Sequence, residues 1–369
     1  MLKGAIVGYG FISSNGHLPA YLERSRTQDD IEIVAIADIC EARRRAAKLA
    51  LPHARIYEDH LSLLRAESAQ LDFIDISTPP RDHAAIAHDA LDHGLHVLCE
   101  KPLTCTVKEA ASLLEHAQRA RRVIFPCHNY KHAPVVKAVR KVIDSGSIGK
   151  VQSLTLNTFR NTHAKGIPEW KTDWRRSKRW SGGGIAMDHG SHTFYLAFDW
   201  MNAYPTSITA HMYNLQSERY DTEDNFSAVL TFPNGVAHTH LTWTAGVRKV
   251  IYTIQGEKGA ITVNDSEMEV ALMKTSPTVS WQTEKQTVTS DWMDASHVGW
   301  FNSLFDQFLN AINQEDFVGK EAKEAFLCIQ LIENAYRSAK EKSLEQNLQP
   351  EGRQRMVAAG EYGLSTSAA

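Results

Sequence analysis

Four small groups of residues have the types and spacing to do chemistry. In AIVGYGFISS, Gly8 and Gly10 close an apolar run. A first glycine permits a tight turn, and a second lets backbone N–H groups come close to a phosphate at a helix N-terminus. Asp38 places a carboxylate at the end of the apolar run IVAIAD. In GLHVLCEKPLT, Glu100 and Lys101 follow an apolar run without any spacer. Charged side chains are seldom buried unless paired, so that run ends either at a ligand crevice or in a surface turn. Asp188 and His192 stand four residues apart, a spacing that sets both on one face of a helix. Histidine at such a site can move protons, because its ordinary pKa of about 6.5 lies near neutral pH.

The glycine turn lacks the last member of G-x-G-x-x-G/A, since Ser13 stands in the third position. That position governs helix–strand packing, for which a small serine is adequate. Phe11 and Ile12 lie in the same turn and would flank a dinucleotide bound there. Asp38 follows Gly10 by 28 residues, where about 20 is usual; a lengthened loop at Gln28-Asp29-Asp30 would account for the excess. At a strand end, Asp38 can bond a ribose 2′-hydroxyl or cap the next helix. The first role favours NAD, since a 2′-phosphate would be repelled. Arg43 to Arg45 lie just beyond, so NADP remains open.

The elements that must position these residues fall into two patterns. Short apolar runs (Ala5–Val7, Ile31–Ala37, Arg55–Tyr57, Leu71–Ile76, His96–Cys99 and Val123–Phe125) alternate with helical stretches such as Arg43–Ala50, Asp82–His93 and Val107–Arg119. Such alternation indicates a parallel sheet covered on both faces. After about Lys150, segments such as VQSLTLNTF, NFSAVLTF and VAHTHLTWT alternate in period two, as in a sheet buried on one face. Pro233-Asn234-Gly235 is a strong hairpin signal and Gly256–Gly259 a weaker one. Two amphipathic helices follow, with Phe301, Leu304, Phe305, Phe308 and Ile312 on one stripe and Phe326, Ile329, Ile332 and Tyr336 on another. The expected organisation is an α/β chain with a dinucleotide-binding domain over 1–127 and a second domain over 128–348. Residues 349–369 have no periodicity and read as a mobile tail or an oligomer arm.

From Asp75 to Ala110, DISTPPRDHAAIAHDALDHGLHVLCEKPLTCTVKEA resembles the Gfo/Idh/MocA dehydrogenases, a family that includes glucose–fructose oxidoreductase and inositol dehydrogenases. The segment DWRRSKRWSGGGIAMDHGSH is similar to the family's Trp-Arg, Gly-Gly-Gly and Asp-x-x-x-His run, and the late helices resemble its closing helices. The resemblance implies an N-terminal Rossmann domain, a C-terminal α/β domain with an open, mostly antiparallel sheet, and contacts in a homodimer or homotetramer. It implies a nicotinamide-dependent oxidoreductase acting on a secondary alcohol of a sugar, inositol or related polyol. Lys101 would then donate to the substrate oxygen that changes between hydroxyl and carbonyl. His192 would be the general base, with Asp188 orienting it or the substrate. Gly182-Gly183-Gly184 would allow close approach to a ligand. Thr78, Pro79, His83, Glu100 and Asn129 would line the cofactor end, as would Trp174 and Arg175; Lys131, where relatives often carry arginine, would reach the substrate. Two other readings share these motifs: a sugar–sugar oxidoreductase that recycles a tightly bound cofactor, and a sensor that keeps the fold without the chemistry.

Bulk properties narrow the field. The 369 residues are longer than one core usually supports. A formal charge of −3 gives no footprint for nucleic acid. No apolar run approaches the ~20 residues that span a bilayer. The N-terminus becomes a strand at once, so no signal peptide is expected and a cytoplasmic protein is. Cys40, Cys99, Cys105, Cys127 and Cys328 show no metal-like spacing and suit a reducing compartment. His83, His88 and His93 step by five, about 140° on a helix, and cannot converge on one ion. Asp188, His189 and His192 could hold a metal, but transfer of hydride from an alcohol needs none and no further ligand cluster is visible, so none is expected. The basic run Arg175, Arg176, Lys178 and Arg179 fits either an anionic ligand or a solvated loop.

Overall fold

The computed structural model describes residues 1–273, 281–287 and 297–348. The expected tail over 349–369 lies outside the described residues. Six strands, β1 (Leu2–Val7), β2 (Ile31–Ala37), β3 (Arg55–Tyr57), β4 (Phe73–Ile76), β5 (His96–Cys99) and β6 (Ile124–Pro126), form a parallel sheet in the order β3-β2-β1-β4-β5-β6. β4 is buried along its whole length, as two helix-covered faces require. Strand order reverses beside β1, and ligands bind beyond the carboxyl ends of strands at such a point.

The second sheet takes β7 (Val151–Phe159), β8 (Ser207–Tyr213), β9 (Asn225–Phe232), β10 (Gly235–Thr242), β11 (Lys249–Gly256), β12 (Gly259–Asn264), β13 (Glu267–Met273), β14 (Trp281–Thr287) and β15 (Gln346–Asn347). Its order is β14-β13-β12-β11-β7-β10-β9-β8-β15, antiparallel except for the β7–β10 pair. Both glycine-marked hairpins form, β9–β10 and β11–β12. The helices are α1 (Leu18–Thr27), α2 (Glu41–Ala50), α3 (His60–Glu67), α4 (Pro80–Asp92), α5 (Val107–Ala120), α6 (Pro134–Asp144), α7 (Lys178–Ser181), α8 (Ile185–Met201), α9 (Val298–Asn313) and α10 (Lys320–Lys340). Among the described residues, no helix is long and apolar enough to cross a membrane. All five cysteines are free thiols.

The alternating inward residues of the second sheet, among them Leu154, Ile208, Phe226 and Ile254, pack on Phe194 and Leu196 of α8 and Ile332 of α10. The apolar stripe of α9 goes elsewhere. Phe301, Leu304, Phe305 and Phe308 join Ile6, Leu18, Phe73 and Phe125 in the core of the first sheet. The first turns of α10, through Ala322, Ala325 and Phe326, join the core on that sheet's other face. Residues late in the chain therefore complete the N-terminal layer. The long spacing between Gly10 and Asp38 also has a different origin from the expected loop. Residues 11–27 are helical throughout and include a π-helical turn at Ser13–His17, leaving only three residues before β2.

Candidate active site

One cavity of about 680 Å³ lies where the first sheet's strand ends face α8 and the chain that follows β7. Gly8 has a φ of +94°, and a Cβ there would sit 2.9 Å from the Ser77 carbonyl, so only glycine fits the turn. Ser13, fully buried, bonds the Gly8 carbonyl through Oγ at 2.5 Å. Its hydroxyl thus anchors the turn that a third glycine would only leave room for. A Cβ on Gly10 would meet nothing within 4 Å, which leaves open space above the turn for a bulky anionic group.

Asp38 does more than cap. Its Oδ1 accepts from Cys40 N–H (2.7 Å) at the start of α2, and its Oδ2 accepts from Tyr9 N–H (2.6 Å) inside the glycine turn. The carboxylate lines the cavity and keeps lone pairs for a further donor. All three neighbouring arginines are occupied: Arg43 on the Tyr9 carbonyl, Arg44 on the Asp38 and Ile39 carbonyls, and Arg45 on Glu41.

Phe11, Ile12, Thr78, Pro79, Glu100 and Asn129 line the same cavity. Thr78 Oγ1 and Asn129 Oδ1 are buried without any hydrogen-bond partner. Buried polar atoms are normally paired, so both call for a ligand group. His83 does not reach the cavity. Fully buried, it lies between the carbonyls of Thr78 (2.8 Å) and Pro102 (2.9 Å) and ties the two turns that do. Burial holds its pKa below the usual value, so the neutral ring donates to one carbonyl at a time.

Lys101 leaves β5 and crosses to α8. Its Nζ donates to the Asp188 carbonyl (2.9 Å) and to Asp188 Oδ1 (3.3 Å). Arg175 Nε reaches the same Oδ1 at 3.3 Å, with its guanidinium 4.2 Å from the Trp174 ring centre. Burial alone would raise the Asp188 pKa; Lys101 and then Arg175 outweigh it and hold the carboxyl far below its usual range. His192 also lines the cavity, its ring stacked on Tyr130 with centroids 3.8 Å apart. Burial, then Lys101 and His189, depress its pKa well below the ordinary value, so the ring is neutral at neutral pH. Nδ1 lies 2.6 Å from the Tyr195 hydroxyl, which leaves Nε2 for the cavity. With Nδ1–H donating to Tyr195, Nε2 is an acceptor; with the phenol donating, Nε2–H is a donor.

The glycine run before α8 serves the protein rather than a ligand. A Cβ on Gly184 would lie 1.9 Å from the Glu223 carbonyl oxygen, and one on Gly183 would lie 1.9 Å from the Tyr336 hydroxyl. Close approach lets the Glu223 carboxylate accept from Gly184 N–H (2.9 Å) and Ala186 N–H (3.0 Å). An acid at a helix N-terminus satisfies free N–H groups and suits the dipole, fixing the turn that carries Asp188. Lys131 does not reach towards a substrate as expected. Its ammonium turns away from the cavity to Glu321 (2.8 Å) and Glu324 of α10. Those carboxylates, supplied 190 residues later in the chain, outcompete solvent and substrate for a buried ammonium.

The two halves of the chain match, over residues 2–128 and 140–346, the family models described as the NAD-binding Rossmann fold and the C-terminal alpha/beta domain of one oxidoreductase family. The chain belongs to the Gfo/Idh/MocA oxidoreductase family. This Gfo/Idh/MocA chain is 36% identical over 147 residues to D-apiose dehydrogenase of Paraburkholderia graminis, covering 40% of this chain and 37% of that one. It is 25% identical over 249 residues to D-glucoside 3-dehydrogenase of Escherichia coli, covering 63% and 68%. The alignments thus span about one third of the first relative's length and two thirds of the second's. Among solved structures, an oxidoreductase domain protein from Kribbella flavida superposes with a TM-score of 0.81 at 20% identity, covering 94% of this chain and 99% of that one. Levoglucosan dehydrogenase in complex with NADH gives 0.80 at 21%, with the same coverage. At these identities the superpositions speak for the fold.

One buried group of this Gfo/Idh/MocA protein escapes sequence reasoning. His17, with no exposed surface, lies between Asp75 (Nδ1 to Oδ2, 2.7 Å) and Glu100 (Nε2 to Oε1, 3.1 Å). Tyr21 donates to the same Asp75 oxygen at 2.9 Å. Burial would lower the His17 pKa, but Asp75 and then Glu100 outweigh it and raise it to about 10. The other Glu100 oxygen accepts from Lys101 N–H at 3.0 Å. A buried imidazolium thus holds the carboxylate that holds the Lys101 backbone. Phe301 packs on the His17 ring and Phe305 on Tyr21, with centroids 4.2 Å apart in each pair. The sequence signal was faint: Ser13, His17 and Tyr21 recur every four residues and all three are buried, with a π-helical turn at Ser13–His17 in place of regular α-helix.

Proposed function

We propose that this protein oxidises a secondary alcohol of a sugar, inositol or related polyol, with NAD as the partner oxidant. The observation that carries the reading is the meeting of Lys101, from the end of β5, with Asp188 and His192, from one face of α8, in the cavity that also holds the glycine turn. The polyol class is supported by the sugar dehydrogenases among the relatives. NAD supplies the acceptor for the hydride that leaves the alcohol carbon. Gly8 and Gly10 admit its phosphates, Asp38 accepts from its ribose, and Thr78 and Asn129 offer their unpartnered oxygens to its polar groups.

The residues divide the remaining work. His192 Nε2 takes the hydroxyl proton when Nδ1–H faces Tyr195, becoming an imidazolium that returns the proton in the reverse direction. Lys101, with two donors spent on Asp188, has a third for the oxygen that becomes the ketone. Asp188 holds Lys101 and Arg175 in place and is too acidic to compete for the proton. Oxidation removes one C–H hydride and one O–H proton, so the alcohol leaves as a ketone and NAD leaves as NADH. Incubating the protein with NAD and a panel of sugars, inositols and their acids tests this. NADH should accumulate with members of one stereochemical series. NAD binding without NADH formation across the panel would favour the sensor reading.

Cofactor choice gives a separate prediction. Wild type should bind NAD more tightly than NADP, and Asp38→Ala should narrow the gap, because the carboxylate repels a 2′-phosphate and the nearby arginines are committed elsewhere. Fluorescence titration of both cofactors checks this, and equal wild-type affinities would remove Asp38 from the ribose.

A further inference from the structure

We propose that the substrate is an anionic polyol, a sugar acid whose carboxylate is held by Arg160. The proposal rests on the polyol-oxidation reading and narrows it.

Arg160 follows the last residue of β7 and lines the cavity with Lys101, Asp188 and His192. Its backbone is fixed on both sides: Arg160 N–H donates to the Thr242 carbonyl (2.9 Å), and its carbonyl accepts from Ala245 N–H (3.0 Å). The residue is only 9% exposed. Its guanidinium has one hydrogen bond, from Nη1 to the neighbouring Phe159 carbonyl at 2.9 Å, and no carboxylate partner among the described residues. Other buried arginines differ. Arg24 has Asp30 and Asp306, and Arg176 has Asp224. An unpaired charge is costly to bury, and a planar guanidinium with free donors matches a carboxylate in two parallel hydrogen bonds.

The charges around it agree. Asp188 Oδ1 already serves both Lys101 and Arg175, so this end of the cavity holds three cations, and its one carboxylate is taken by two of them. Glu100 is committed to His17 and brings no relief. His189 senses the excess. Burial first, opposed by Asp188 and reinforced by Arg160, Lys101 and Arg175, brings its pKa down to about 3. A substrate carboxylate would balance the charge. Arg160 is rooted in the second sheet, whereas the glycine turn that admits the cofactor phosphates belongs to the first.

The test uses the full chain loaded with NADH, a complex that cannot oxidise an alcohol. Calorimetric titration compares each acid with its neutral parent: D-gluconate with D-glucitol, D-galactonate with galactitol, and D-glucuronate with D-glucose. A charge-assisted pair predicts about 10–100-fold tighter binding of at least one acid than of its parent. Arg160→Gln should erase that preference and Arg160→Lys should keep part of it. The wild-type comparison stands even if a variant folds poorly. No preference for any acid, or a preference that survives in folded Arg160→Gln, overturns the proposal. Tighter binding of D-glucitol 6-phosphate than of D-gluconate assigns the site to a phosphate instead and also overturns it. So does a tenfold loss of NADH affinity in Arg160→Gln, which would place Arg160 on the cofactor. Tight acid binding without NADH formation from NAD would sink the oxidation reading while leaving this assignment intact, and oxidation of neutral polyols alone would do the reverse.

Discussion

Lys101→Met should keep the fold and an NAD affinity close to wild type while turnover falls by about 10²–10³, the loss typical of removing a donor aimed at developing oxyanion charge. Methionine preserves the length and the packing of the stem. What disappears is the ammonium, whose third donor strengthens its bond as the substrate oxygen gains negative charge. The same change frees Asp188 from one of its two cations, so a modest rise in KM is expected beside the larger fall in kcat. His192→Asn should fail differently. Neutral histidine is the proton acceptor, a role worth about 10²–10⁴, and activity should partly recover at high pH as hydroxide replaces it. Because burial and Lys101 keep the His192 pKa well below its ordinary value, wild-type kcat/KM should not lose this base on going down to pH 6.5. Steady-state kinetics across pH, with cofactor titration as a control, separates the two defects.

His17→Gln should destabilise the protein by about 3–5 kcal/mol, the usual cost of leaving a buried charge without its partner. Glutamine can bond both neighbours but cannot neutralise Asp75 and Glu100. The folded pKa of His17, about 10, lies above the ordinary 6.5 of an unfolded histidine. A raised pKa contributes stability that is fully present below the unfolded value and lost as pH rises through the folded one. The gap between wild type and His17→Gln should therefore be widest at pH 6.5 and below, shrink as pH rises from 6.5 through 10, and level off above that. Urea unfolding of both proteins across that range reads it directly. A gap independent of pH would mean that His17 is neutral in the fold and that the Asp75–His17–Glu100 group is no ion cluster.

Local signals in the chain reached some of this and stopped at others. Asp38 and Glu100-Lys101 were legible because each abuts an apolar strand, and β2, β3 and β5 have the bounds that their apolar runs indicate. Position beyond a strand's carboxyl end then fixes the crevice. Asp188 and His192 were legible from helical spacing. Lys131 was not, although it lies two residues from Asn129. The 3₁₀ turn over Asn129–His132 sends the two side chains to different places, and the partners that claim the lysine come from α10. The glycine run misled for the same reason, since Glu223 and Tyr336 are distant in sequence. Periodicity says which face is buried; it does not say against what. That limit also hid the packing of α9 on the first sheet and the lack, among the described residues, of a carboxylate partner for Arg160, which only the assembled cavity reveals.

Single-turnover reduction of NAD by wild type, Lys101→Met, His192→Asn and the double variant tests the central claim most directly. The polyol or sugar acid found active in the panel serves as substrate. With groups that act as a unit on one oxygen and its proton, the two losses should not multiply, so the double variant should be scarcely slower than the worse single one. The wild-type burst should match the protein concentration, and Lys101→Met should form NADH about 10²–10³ more slowly at saturating NAD. A Lys101→Met burst as fast as wild type would reduce Glu100-Lys101-Pro102 to a strand-ending turn and contradict the mechanism.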